Sequence, residues 1–140
     1  MAHLCGQWEL VSCDENFDKY MEAVGVSEEK RKLAQTALTA QSKLKQEISL
    51  EDGTTWSIKL ITAAGQKIDV YPEGKPVAST TLDGRSVSVV YSREGDELIE
   101  TQKGTGFESI NTRKVSGDTM IMKFTANNGI SSTRTYKKLS

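Results

Sequence analysis

Histidine, cysteine and proline are scarce in this chain, and each shortage removes a class of function. The single histidine, His3, stands among the first residues, so neither a Ser-His-Asp arrangement nor a histidine-based metal site can be assembled around it. The two cysteines, Cys5 and Cys13, bracket a strand-like segment. If extended, that segment holds them roughly 26 Å apart, far beyond the reach of a disulfide, so two reduced thiols without motif partners are expected. Both prolines, Pro72 and Pro76, fall close together, where they mark an edge or a gap and not the middle of a sheet. Long apolar runs are missing too. Nothing approaches the ~20 residues of a membrane span, and Met1-Ala2-His3-Leu4-Cys5 does not have the character of a signal peptide. With 18 Lys+Arg against 19 Asp+Glu the formal charge is −1, which exerts no overall pull toward nucleic acid or an anionic membrane. No Gly-rich phosphate loop, zinc spacing or nucleotide fingerprint occurs. The expectation is a soluble cytoplasmic protein that is not an enzyme and uses no metal, cofactor or nucleic acid.

What is present is periodicity of two kinds. Phe17, Tyr20, Met21 and Val24 recur at helical spacing, and Gly25 is a natural stop. Ser27 is placed to cap a second helix, Glu28 and Glu29 suit its first turn, and Leu33, Ala34 and Leu38 supply an apolar stripe. From Lys43 onward the period becomes two, and turn-forming pairs such as Ala64-Gly65, Glu73-Gly74, Asp83-Gly84, Glu94-Gly95 and Asn128-Gly129 punctuate it. Together with Gln7–Ser12 this makes about ten strands. At 140 residues the chain reads as one domain, 1–140, and so many short-linked strands close most readily into an up-and-down antiparallel β-barrel.

A barrel of this size has more interior than its own side chains fill, so the inward faces decide function. Ile130, Ser132, Arg134 and Tyr136 share one face of the last strand, as do Phe107, Ser109, Asn111, Arg113 and Val115 two strands earlier. If these faces point inward, two guanidinium groups and a phenol enter the cavity with no acid on the same faces. A bound carboxylate is the cheapest way to satisfy them. Candidate cavity or mouth residues are Tyr20, Val24, Leu33 and Leu38 on the helices, with Trp56, Ile58, Val77, Met120, Met122 and Phe124 on the strands. Lys30, Arg31 and Lys32 form either a solvated helix face or a patch for transient contact with anionic membranes.

At this point the residues resemble the intracellular lipid-binding proteins, the family of fatty-acid-binding and cellular retinoid-binding proteins, over nearly the whole chain. The resemblance is carried by Gly6-Gln7-Trp8, by Asn16-Phe17-Asp18-Lys19-Tyr20-Met21 with Gly25-Val26, by Thr80-Thr81-Leu82-Asp83-Gly84-Arg85-Ser86-Val87 and by Thr133-Arg134-Thr135-Tyr136. It implies a mainly β, ten-stranded barrel (a β-clam) with a helix-turn-helix lid at about 16–40. It further implies a monomeric carrier of a long-chain fatty acid, the carboxylate held by Arg113, Arg134 and Tyr136. Retinoic acid or another amphipathic acid as ligand, and a membrane-associating structural role, are the alternatives the same resemblance leaves. The chain departs from the family pattern at Tyr71-Pro72-Glu73-Gly74 and at Thr39-Ala40-Gln41.

Overall fold

The computed structural model describes residues 2–39, 42–62, 65–81 and 84–139. Ala40-Gln41, the turn residue Ala64 and the Leu82-Asp83 part of the hairpin motif lie outside the described residues. After a turn of 3-10 helix (Ala2–Leu4) come β1 (Gly6–Cys13), α1 (Phe17–Ala23) and α2 (Glu28–Ala37). The meander follows as β2 (Lys45–Glu51), β3 (Thr55–Thr62), β4 (Gly65–Pro72), β5 (Val77–Thr80) and β6 (Ser86–Glu94). It ends with β7 (Glu97–Gly104), β8 (Phe107–Ser116), β9 (Thr119–Ala126) and β10 (Ser131–Lys138).

One ten-stranded antiparallel sheet results, in the order β4-β3-β2-β1-β10-β9-β8-β7-β6-β5. Pairing of β1 with β10, Leu10 opposite Tyr136, joins the two ends of the chain and bends the sheet into a nearly closed barrel. The remaining edges, β4 and β5, face each other across a seam, and both prolines sit there: Pro72 ends β4 and Pro76 precedes β5. A residue without an N–H is tolerated where no ladder partner waits for it. The lower part of the seam is drawn together by the Gly74 N–H, which donates to the Tyr91 carbonyl at 2.8 Å.

Alternation of side chains sets the faces. On β8, Phe107, Ser109, Asn111 and Arg113 are buried while Ile110 and Lys114 are exposed. The last strand differs at its start from the expected face. Ile130 lies in the turn before β10 and is 36% exposed, so the inward row begins at Ser132.

The helices form where their period placed them. α1 buries Tyr20 and Met21 and stops as Gly25 adopts φ +87°, a conformation that costs glycine little. The Ser27 side chain then accepts from the Lys30 N–H and starts α2. The pair closes one end of the barrel as a lid. The core below is divided in two: Leu4, Trp8, Leu98 and Met120 have no exposure and lie apart from the cavity under the lid, whereas a second set of buried residues surrounds that empty space.

Candidate ligand-binding cavity

Between sheet and lid lies a cavity of about 660 Å³. Tyr20, Val24, Leu33 and Leu38 line it from the helices, and Ile58, Met122 and Phe124 from the sheet. Tyr20 is fixed by its hydroxyl against Ser109 and by its ring 5.3 Å from that of Phe124. Burial pushes its phenol up to about 12, against the opposing bond from Ser109.

Trp56, Val77 and Met120, expected on the cavity wall, stand elsewhere. Trp56 is buried at the seam, where its Nε1–H donates to Glu73 Oε1 at 2.9 Å and the Arg93 guanidinium lies 5.5 Å from its ring. Val77 starts the edge strand β5, half-buried against the core opposite Val89 and on the same face as Ser79, but it is not among the residues that line the cavity. Met120 sits opposite Tyr136 and Val115 in the solid part of the core.

The structure brings Arg113, Arg134 and Tyr136 to one wall. Arg113 and Arg134 are both in register with Met122 of the strand between them, which separates their backbones by about two strand spacings, roughly 10 Å. Each is 2% exposed, yet their surroundings differ. Arg113 is held by protein groups: Nε donates to Gln46 Oε1 at 2.9 Å, and Nη1 to Glu100 Oε1 at 3.0 Å and to the Tyr91 hydroxyl at 3.3 Å. Burial opposes its charge, but Tyr91 and Glu100 outweigh that and hold the guanidinium above its ordinary value. Tyr91 is raised well above its usual range, by burial first, with Glu100 adding to it against Arg113.

Arg134 has no carboxylate within ion-pair distance among the described residues. Its Nη2 donates to the Leu38 carbonyl at the end of α2 at 2.8 Å, and its guanidinium lies 3.9 Å from the centre of the Phe17 ring. Its Nε is buried with no hydrogen-bond partner. An unsatisfied charged donor of this kind costs free energy unless something occupies it. Tyr136, 2% exposed and on the cavity wall, stands one alternation further along the same strand face.

Glu100 was not singled out by sequence reasoning. The available signal was parity: Leu98, Glu100 and Gln102 share the inward face of β7, and of these Glu100 and Gln102 reach the cavity. The Lys67, Asp69, Ser79 and Tyr71 cluster that links the two edge strands inside the cavity was also missed. Of the basic helix residues, Arg31 is turned inward, bonded to Asp18 at 3.1 Å and to the Val26 carbonyl at 2.8 Å. Lys32 pairs with Glu28 at 3.5 Å, and Lys30 is exposed at the mouth of the cavity. No helix among the described residues is long and apolar enough to cross a membrane.

A hollow antiparallel barrel with a helical lid and an arginine-lined interior defines the class of small lipid-binding barrels, and comparison with known proteins narrows it. No family model matches the chain. It is 38% identical over 99% of its length, and 98% of the relative's, to sodium/calcium exchanger regulatory protein 1 of Doryteuthis pealeii. It is 30% identical to fatty acid-binding protein 9 of Mus musculus, with 96% of each chain covered. Among solved structures, the REP1-NXSQ fatty acid transporter superposes with a TM-score of 0.87 and 36% identity over 100% of this chain and 98% of that one. The chain belongs to the intracellular lipid-binding protein family, close to the fatty-acid-binding proteins.

Proposed function

We propose that this protein is a cytoplasmic, monomeric carrier of a long-chain fatty acid and has no catalytic role. The acyl chain lies along the apolar wall and the carboxylate reaches the cluster of Arg113, Arg134 and Tyr136. The observation that carries this reading is the Arg134 guanidinium, buried on the cavity wall with no carboxylate at ion-pair distance among the described residues and with its Nε unbonded. A carboxylate supplies the missing acceptor and the missing charge in one group, with a tyrosine hydroxyl as a further donor. The names of the fatty acid-binding relative and the solved transporter support the ligand class. Contact with anionic membranes during transfer would fall to Lys30 at the mouth, since Arg31 and Lys32 are already paired.

Titration of oleate and oleyl alcohol into the delipidated protein tests the reading. Replacing both Arg113 and Arg134 by Gln should weaken oleate by about a hundredfold and the alcohol by much less. Equal losses for acid and alcohol would overturn the head-group assignment.

A second reading rests on the 38% identity to the exchanger regulatory protein: the loaded carrier would act on a membrane transporter. Loaded and empty protein added to exchanger-containing vesicles would separate the two, because only this reading expects ion flux to depend on the load.

A further inference from the structure

Three arginines line the cavity: Arg85 is held near the lid by the Val24 carbonyl and over the Phe107 ring, while of the Arg113 and Arg134 pair one already has its counter-charge. Glu100 lies across from Arg113 with both side chains buried, 7% and 3% exposed, at 3.0 Å. Both carboxylate oxygens are engaged. Oε1 accepts from Arg113 and from the Tyr91 hydroxyl at 2.8 Å, and Oε2 accepts from the Gln102 amide. Gln46 takes the Nε of Arg113. Of the Arg113 nitrogens, Nη2 alone makes no hydrogen bond among the described residues, so this arginine offers the cavity the N–H groups of a single nitrogen and little net charge. Arg134 keeps both its charge and an open Nε.

Resting on the reading that the cavity takes a carboxylate, we propose that Glu100 determines head-group specificity: by neutralising Arg113 it limits the site to ligands with a single negative charge, placed on Arg134. Arg113 then contacts the head group through Nη2 as the cationic half of a pair with no net charge. A head group carrying two charges, such as an alkyl phosphate, meets the charge of Arg134 and, close behind Arg113, the Glu100 carboxylate. Glu100 acts through Arg113 and is a positioning residue. At separations near 10 Å and an effective dielectric of about 20, one unit charge alters affinity by roughly tenfold.

The test uses the delipidated full chain with oleate, oleyl alcohol and hexadecyl phosphate. Arg113→Gln leaves Glu100 without its cation and should weaken oleate about tenfold while leaving oleyl alcohol within twofold. In Glu100→Gln/Arg113→Gln, which removes the pair together, oleate affinity should recover to within about threefold of wild type, the remainder being the lost Nη2 contact. Glu100→Gln alone should tighten oleate about tenfold and hexadecyl phosphate further. If that variant does not fold by thermal melting, the first two decide. The proposal is overturned if the double variant stays as weak toward oleate as Arg113→Gln, because Arg113 itself would then be the anion partner. Arg134→Gln separates the two layers. If it weakens oleate but the double variant shows no recovery, only the role of Glu100 fails; if wild-type protein binds no oleate, the carrier reading fails.

Discussion

Leu98 and Ile58 are both buried aliphatic side chains, at 0% and 5% exposure, but only Ile58 borders the cavity. Truncating Leu98 to Ala opens a void inside close-packed core and should cost about 2–5 kcal/mol in urea unfolding, with fatty-acid affinity unchanged. Ile58 has empty space on one side and fewer neighbours to lose. Ile58→Ala should cost less stability and shift affinity instead, so the ratio of the two effects inverts between the positions. Gly104 makes a different kind of demand. A Cβ there would overlap the Phe107 ring, over which the Arg85 guanidinium is stacked at 4.4 Å. Gly104→Ala should therefore destabilise by about 1–3 kcal/mol through displacement of that ring, visible as a lowered melting temperature.

The lid hangs on few attachments. Arg31 joins α2 to α1 through Asp18 and Glu22, Gln35 adds a bond to Asp18, and Arg134 holds the carbonyl of Leu38 at the end of α2. Leu33, in the middle of α2, is 56% exposed, so apolar burial contributes little to holding this helix. Arg31→Gln should accelerate amide exchange of α2 by roughly tenfold while leaving β8 to β10 unchanged. A uniform increase through the barrel would contradict an independently opening lid. These helices were legible from sequence because a cap, a stop and an apolar period coincide at Ser27, Gly25 and Phe17–Val24. The same period put Leu33 and Leu38 at the cavity or its mouth, where both line it.

Across the molecule, the barrel was legible because every level of the sequence agrees: period-two faces, turn pairs at regular spacing, and prolines where the sheet stays open. The anion wall was legible in part. Parity placed Arg113, Arg134 and Tyr136 inward, but single-strand parity says nothing of what stands opposite, so the Glu100 partner of Arg113 stayed hidden. For the same reason Trp56 was placed on the cavity wall, when cross-strand partners Glu73 and Arg93 hold it at the seam.

Two carboxylates tie distant parts of this architecture together, and they set its behaviour in acid. Asp14, between β1 and α1, accepts from the Ser132 hydroxyl at 2.8 Å and the Thr133 N–H at 2.9 Å on β10. Its slight burial would raise its pKa, but those bonds, the Asn16 N–H and nearby Arg134 outweigh it and hold the group below its ordinary value. Glu73 at the seam behaves alike, burial being outweighed by Trp56 and Arg93. For both, the unfolded chain binds protons more readily than the folded one. Stability from these groups is thus complete above the ordinary carboxylate range near pH ~4 and is lost as pH falls through that range toward the folded values. The urea midpoint should fall between about pH 5 and pH 3. Asp14→Asn/Glu73→Gln should lower it at pH 7 and flatten the slope below pH 5, whereas an unaltered slope would mean that other carboxylates carry the acid response.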